Sequence, residues 1–572
     1  MSQLLQLPAE LIEHTLSFIE APDDIFNISK VSRRLYNVST PFRYQTLVVA
    51  IPSRGVYGYI KWNPQKAFAK VSEPWYRHLK HLEISYYRPD EPYRPWKLRI
   101  PGVSGSEVRA VNHTYTAASM RLLNLETLSR YLLGMIERLP QGQLRSFTPI
   151  IRDDPEIEVY AVAIDIVLFM CISATQNNLT SLAIEVNAAF IADCTECDFP
   201  HLKSLGLSRA RFHAHAEDHA ILSLLYNCQN TLIKLVWVIT EFASWSAAEY
   251  LALFREAYEE WRQCERCCQS GGDPAEQKSI VLSKLKTWRV YNMEGDFIQL
   301  LYDMGIMKGA SVANFSLTYV SEFLDMASEN GDLKLDVLLP RLFQQRHDGG
   351  VLGSHLMTFR GLTTFALQSQ DSEFFGAGWG MWFDGLKCHA ASLRCLNISF
   401  AGLPISQTRL THLGMSCRNL EFVTLEMEDR LPFGILDKTF FPKLKYFRNP
   451  KQMYPIRMDD VSGPQEDLRL LIDSNICEAL ADGVLSGTLR IVAFGSPGVG
   501  DISWVSGLAF RIERGLEGSP KVSVVTGNEE SESGEAASIR TRAMTRLEYM
   551  DAMKGLSGYV DYFDIAPLDT VG

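Results

Sequence analysis

From about residue 75 onward, one short apolar phrase recurs along the chain: Leu-x-x-Leu-x-Leu, with substitutions. It reads Leu79/Leu82/Ile84, Leu179/Leu182/Ile184, Leu202/Leu205/Leu207, Leu232/Leu235/Trp237, Leu285/Trp288/Val290, Leu362/Phe365/Leu367, Leu393/Leu396/Ile398, Leu420/Val423/Leu425 and Leu489/Val492/Phe494. Degraded copies stand at Leu144/Phe147 and Leu444/Phe447. First positions step by 23 from Leu179 to Leu202, by 30 to Leu232, by 27 from Leu393 to Leu420 and by 24 to Leu444. Such a step has room for one strand and one helix, and the residues before the phrases read as helix: Tyr131 to Ile136 before Leu144, and Ile221 to Leu225 before Leu232. A unit of this size cannot bury its apolar face alone, so the units must stack, with parallel strands on a concave face and helices on the convex one. The wider steps from Leu232 to Leu285 and on to Leu362 mean insertions or strongly diverged units. Leu410/Leu413/Met415 matches the phrase but starts only 10 residues before Leu420; with Cys417 it has helical spacing and is assigned to a helix.

Side chains alternate along a strand, so residues between the apolar positions are expected to line the concave face. His81, Glu83, Lys234, Thr287, Phe422, Thr424 and Glu426 are of this kind. Arg289, Tyr291, Tyr446 and Arg448 are the first candidates for contact with a protein client, because Tyr and Arg are frequent energetic anchors of interfaces.

The first segment carries three helical signals. Pro8 suits a first helical turn, and Ile12, Leu16 and Ile19 share one stripe. Ala21-Pro22 breaks that helix, Asp23 caps a second with Ile25 and Ile28, and Val31, Leu35 and Val38 mark a third that ends at Thr40-Pro41. Leu7-Pro8-x-Glu10-Leu11-Ile12, Leu16, Ile19, Asp24, Ile28, Val31-Ser32-Arg33-Arg34-Leu35-Tyr36, Pro41 and Tyr44 together resemble the F-box family, over about the first 45 residues. Tyr36 stands where the family often has Trp. The resemblance implies docking onto the Skp linker protein of cullin/RING ubiquitin ligases, with apolar contacts from Leu7, Pro8, Leu11, Ile12, Leu16 and Val31. The competing reading is an N-terminal cap on the repeats. The body in turn resembles the loosely repeating leucine-rich repeats of F-box/leucine-rich-repeat proteins.

Composition limits the alternatives. The chain has 572 residues, 46% hydrophobic and 22% charged, as in an ordinary folded protein. A net charge of -11 argues against a general nucleic-acid surface. Eleven cysteines without regular spacing point to a reducing compartment, and no secretory signal pattern opens the sequence. The most apolar stretch, Val159 to Ile172, contains Asp165 and is too short to span a membrane.

Cys194-x-x-Cys197 and Cys264-x-x-Cys267-Cys268 have thiolate-pair spacing, but the pairs lie far apart for one zinc site. His213, His215 and His219 read as a helix-surface group. Gly495 to Gly500 mimics a phosphate loop, but Asp501 stands where the Lys would be. No metal, cofactor or catalytic constellation is expected.

The expected fold is α/β: a short three-helix F-box-like module over residues 1–47, then an irregular leucine-rich-repeat solenoid over 75–515. An acidic flexible segment is expected at 520–540, and a C-terminal tail at 541–572 that docks on the body. The expected function is a non-enzymatic substrate-recognition adaptor in the cytoplasm and/or nucleus. Its partners would be the Skp-type linker, through it cullin, and a protein client of unknown identity, with neither nucleic acid nor membrane involved. The alternative is a repeat scaffold with no part in ubiquitination.

Overall fold

The computed structural model describes residues 6–19, 22–52, 64–87, 97–100, 117–149, 162–163, 165–186, 199–209, 215–239, 247–263, 279–291, 300–301, 303–307, 310, 312–319, 356–357, 359–369, 379–400, 407–425, 437–449, 456–457, 487–496, 504–513 and 540–543. The chain divides into two compact units, residues 1–152 with 156–284, and residues 153–155 with 285–572.

The first unit opens with three helices, α1 (Ala9–Leu16), α2 (Pro22–Ser29) and α3 (Arg33–Arg43). Strand β1 (Thr46–Pro52) follows almost at once and runs parallel to β2 (His81–Tyr87) on one side and β3 (Lys97–Arg99) on the other. The short helices α4 (Pro64–Phe68) and α5 (Glu73–His78) lie between β1 and β2 in the chain. There follow α6 (Ala117–Ile136), β4 (Ser146–Pro149), β5 (Val162–Ala163), α7 (Ile166–Thr175), β6 (Ser181–Val186), β7 (Ser204–Arg209), α8 (His215–Cys228), β8 (Lys234–Ile239) and α9 (Ala247–Gln263). Hydrogen bonding gives the order β3-β1-β2-β4-β6-β7-β8, all parallel, with β5 pairing the far end of β6.

The phrase explains this register. Its middle position falls in line across six strands as Leu47, Leu82, Phe147, Leu182, Leu205 and Leu235, and all six side chains are buried. Sliding any strand by one residue would turn its apolar set to the opposite face, so the column fixes the pairing. The apolar stretch around Ile172 is α7, capped by Asp165, whose carboxylate accepts the Leu168 N–H at 2.8 Å. Among the described residues no helix is long and apolar enough to cross a membrane.

The second unit contains β9 (Thr287–Tyr291), β10 (Asn314–Tyr319), β11 (Thr364–Ser369), α10 (Trp379–Lys387), β12 (Cys395–Phe400), α11 (Gln407–Ser416), β13 (Phe422–Leu425), β14 (Tyr446–Asn449), β15 (Ile456–Arg457), β16 (Ile491–Ser496), β17 (Trp504–Glu513) and β18 (Arg540–Ala543). Strands β9 to β14 pair in sequence and in parallel, and β16 continues from β14. Its buried column is Trp288, Phe315, Phe365, Leu396, Val423, Phe447 and Val492. Trp288 meets Phe315 edge-on at 5.3 Å, and Phe315 stacks on Phe365 at 5.9 Å. The run then changes hand: β17 pairs antiparallel with β16 and β15, and β18 antiparallel with β17.

The molecule is therefore α/β, an N-terminal helical module followed by open, solenoid-like parallel sheets in the two units. Two details depart from the sequence expectation, and a third decides between alternatives it left open. The sheet begins at Thr46 rather than near residue 75, because β1 is a nearly continuous apolar strand (TLVVAIP) buried on both faces. Strand β10 divides the long step from Leu285 to Leu362, its phrase opening on Val312 instead of Leu. The third helix runs through Pro41 to Arg43, since a proline near a helix end costs one bond but keeps a helical φ. The Leu410 phrase lies in α11, as its spacing indicated. The acidic segment 520–540, except Arg540, and the tail after 543 lie outside the described residues; Arg540 and the first residues of the tail form β18.

Side-chain groups just before the strands tie successive repeats together. The Gln176 amide is buried; its oxygen accepts the Leu144 N–H at 2.9 Å. Gln143 donates to the carbonyls of Tyr76 and Leu79, and Gln229 accepts from the Val281 N–H. Each such bond satisfies a backbone group that stacking has removed from water.

Candidate functional site

The N-terminal module is folded around its own small core. Ile12, Leu16 and Leu35 are buried together, and Leu7, Ile19, Ile28, Val38 and Phe42 pack against them. Pro8 precedes α1 in an extended conformation, and its carbonyl accepts the Ile12 N–H at 3.3 Å. Ser32 caps α3 by accepting the Leu35 N–H at 3.1 Å. Arg34 donates to the Leu7 carbonyl at 2.5 Å, tying the Leu-Pro segment to α3 across 27 residues of sequence.

The apolar groups left outside this core define the site. Leu11 is 51% exposed, Phe18 71%, Val31 46% and Tyr36 45%. Leu11 on α1 and Phe18 in the turn just past its end make an exposed apolar stripe, with the His14 ring against Phe18 at 4.9 Å. Water is a poor environment for such a stripe, and exposed apolar patches of this kind mark association surfaces. Tyr36 is held from beneath: the Arg43 guanidinium lies 4.9 Å from its ring, 5.1 Å from Phe26 and 5.3 Å from Tyr44.

The six residues named from the sequence therefore divide. Pro8, Leu11 and Val31 are exposed and Leu7 is half-buried, whereas Ile12 and Leu16 belong to the interior of the module. Val31 sits in the turn before α3 rather than within it. Phe18 was missed, although its position on the stripe opposite Ile12, Leu16 and Ile19 was readable.

The candidate client contacts are placed differently from the expectation of an open face. Arg289 is 6%, Tyr446 0% and Arg448 5% exposed, and both faces of β13 and β14 are buried. Tyr291 ends β9 and is described through its backbone alone.

Among the described residues no group of His, Cys, Asp and Glu has metal-binding geometry. The Cys194, Cys197, Cys264, Cys267 and Cys268 positions and His213 lie outside them. His219 is 3.6 Å from the Glu260 carboxylate. Cys228 and Cys417 are buried at helix ends, and burial pushes both thiols up to about 12, which keeps them protonated and unreactive.

Compared with known families, residues 4–44 match the F-box domain. No curated protein matches the chain. The match covers α1, α2 and α3 and ends at Tyr44, whose ring contacts the first repeat.

Proposed function

We propose that this chain, an F-box protein by its first 44 residues, is the substrate-recognition subunit of a Skp/cullin-type ubiquitin ligase. The observation that carries the reading is the division of labour in the N-terminal module. Ile12, Leu16 and Leu35 satisfy its own core, while Leu11, Phe18 and Val31 stay open for a partner. The Skp linker occupies that stripe, and the repeat body holds a protein client. Ubiquitin transfer belongs to other subunits, and the adaptor contributes proximity by raising the effective concentration of client lysines near the transfer enzyme. The five described cysteines are free thiols, which supports a reducing cytoplasm and/or nucleus as its location.

The test is an affinity capture from cell extract, comparing the wild type with a Pro8→Ala/Leu11→Ser/Val31→Ser variant. Loss of linker and cullin from the variant, at unchanged thermal stability, is the expected result. Equal capture by both would sink the docking model. Client half-life with and without the protein separates a ligase subunit from a scaffold, which would leave turnover unchanged.

A further inference from the structure

The residue just before each strand forms a row across the repeats. In the second unit Arg394, Glu421 and Lys445 precede β12, β13 and β14, joined through their backbones: Glu421 N–H donates to the Arg394 carbonyl at 2.7 Å, and Lys445 N–H to the Glu421 carbonyl at 2.8 Å. Their side chains close into a triad in which Glu421 takes Arg394 on one oxygen and Lys445 on the other, both at 2.6 Å.

In the first unit the same row reads Lys80, Arg145, Thr180 and Lys203, before β2, β4, β6 and β7. The backbone links are the same: Arg145 N–H to the Lys80 carbonyl at 2.6 Å, Thr180 N–H to Arg145 at 2.8 Å, and Lys203 N–H to Thr180 at 2.8 Å. Arg145, Thr180 and Lys203 thus repeat the cation, centre, cation pattern with the carboxylate missing. Lys80, Arg145 and Lys203 are all exposed, and neither Lys80 nor Lys203 has an ionic partner among the described residues. Thr180 is short, and its hydroxyl is turned to the Arg145 carbonyl at 2.9 Å. Arg145 makes a 3.3 Å bond to the Asn178 carbonyl, which leaves most of its donors unused. The nearest acid along these strands, Glu83, sits on β2 three residues beyond Lys80.

We propose that this row is a docking site for an anionic side chain of the client, a carboxylate or a phosphate, seated over Thr180 between Arg145 and Lys203. The proposal rests on the reading that the repeat body holds a client, and names the chemistry of the segment it takes. Glu421 shows that cations on strands flanking this position close on one anion. Strands about 4.8 Å apart put the two backbones about 10 Å from each other, a span that two long basic side chains cover. Lys80 lies one strand further and serves a second acidic group on an extended segment. A local basic row is compatible with an acidic chain overall, because screening confines its field to about 10 Å.

The test uses the full chain purified with its linker and three fluorescein-labelled Gly/Ala peptides, read by anisotropy at low salt. The central residues are two phosphoserines, two glutamates or two glutamines. The phosphoserine and glutamate peptides are expected to bind and the glutamine peptide to bind at least about tenfold more weakly. Tighter binding of phosphoserine assigns a phosphorylated client, and equal binding an acidic one. Thr180→Glu installs the missing carboxylate and should weaken anionic binding about tenfold, as should Lys203→Gln, with linker capture and melting temperature retained. The proposal is overturned by equal binding of the glutamine peptide, by undiminished binding to Thr180→Glu, by no anionic binding up to about 1 mM, or by tighter capture of single-stranded RNA at the same residues. Any of these with linker capture intact refutes the docking row and leaves the adaptor reading standing.

Discussion

Tyr44 and Trp75 meet edge to face, ring centroids 5.0 Å apart, and this contact joins the last residue of the F-box match to the helix that precedes β2. Arg43 sits against the Tyr44 ring on the module side, so the cation, Tyr44 and Trp75 form a continuous packed path from module to first repeat. An adaptor needs such a path, because a client held on a loose tether loses the advantage of proximity. Trp75→Ala is expected to cost about 1 to 2 kcal/mol, and a double-mutant cycle with Tyr44→Leu to give a coupling of about 0.5 to 1.5 kcal/mol. Denaturant titration measures both. A coupling of zero would mean that the rings touch without joining the two parts.

Exposure separates two kinds of variant within the F-box module. Leu11→Ala and Phe18→Ala remove surface apolar groups and are expected to lower linker affinity about tenfold each, with little change in melting. Ile12→Ala and Leu16→Ala remove core groups and should cost about 2 to 5 kcal/mol, losing the linker through unfolding. Circular dichroism alongside binding distinguishes them. If Ile12→Ala kept full helicity, the assignment of Ile12 to the core would be wrong.

The repeats were legible because a Leu at the phrase positions serves one purpose, filling the column between stacked units, and Leu182, Leu205 and Leu396 do that. Strand β1 was hidden because its Thr-Leu-Val-Val-Ala-Ile run meets the same demand without the phrase, with both of its faces covered. The Arg289, Tyr446 and Arg448 positions lie on the predicted strands, but alternation alone says which face a side chain is on and not whether that face is open. Phe18 is not part of the motif that carries the resemblance, and its exposure follows only once Ile12, Leu16 and Leu35 are seen to close the module without it.

His389 provides a pH-dependent contribution whose sign follows from its bonds. The ring is buried beside Phe359 at 4.9 Å; Nε2 donates to the Leu356 carbonyl at 2.8 Å, and Nδ1 accepts the Leu362 N–H at 3.3 Å. Burial lowers its pKa, helped by Arg360 and opposed by the Leu356 carbonyl. Protonation would place a second N–H against that of Leu362. The unfolded chain therefore takes up the proton first, and the contribution is whole above about pH 6.5 and shrinks as pH falls below it. His389→Gln should be about 1 to 3 kcal/mol less stable at neutral pH and lose less on acidification. His81, whose pKa burial and then Lys80 also lower, is present in both proteins and cancels in the difference. Parallel stability curves for the two proteins between about pH 5 and 7 would show that His389 takes up its proton at the same pH folded as unfolded, so that burial does not hold its pKa down.

Gly142 is needed where the turn before β4 meets the end of α7. Its φ is 67°, its N–H donates to the Thr175 carbonyl at 2.8 Å, and its carbonyl accepts from the Asn178 amide at 2.9 Å. A Cβ there would come within 2.5 Å of Asn178 Nδ2 and 2.9 Å of Asn177 Oδ1. Gly142→Ala thus meets both backbone strain and a clash, and the Asn178 side chain can give way only by releasing the bond that fastens one repeat to the next. The expected cost is about 1 to 3 kcal/mol, from positive-φ strain together with loss of that bond. Asn178→Ala removes the obstruction as well as the bond, so the double variant should be less destabilised than the sum of the two single ones, by about 0.5 kcal/mol or more. Additive costs in denaturant titration would attribute the whole effect to the backbone and none to the close approach.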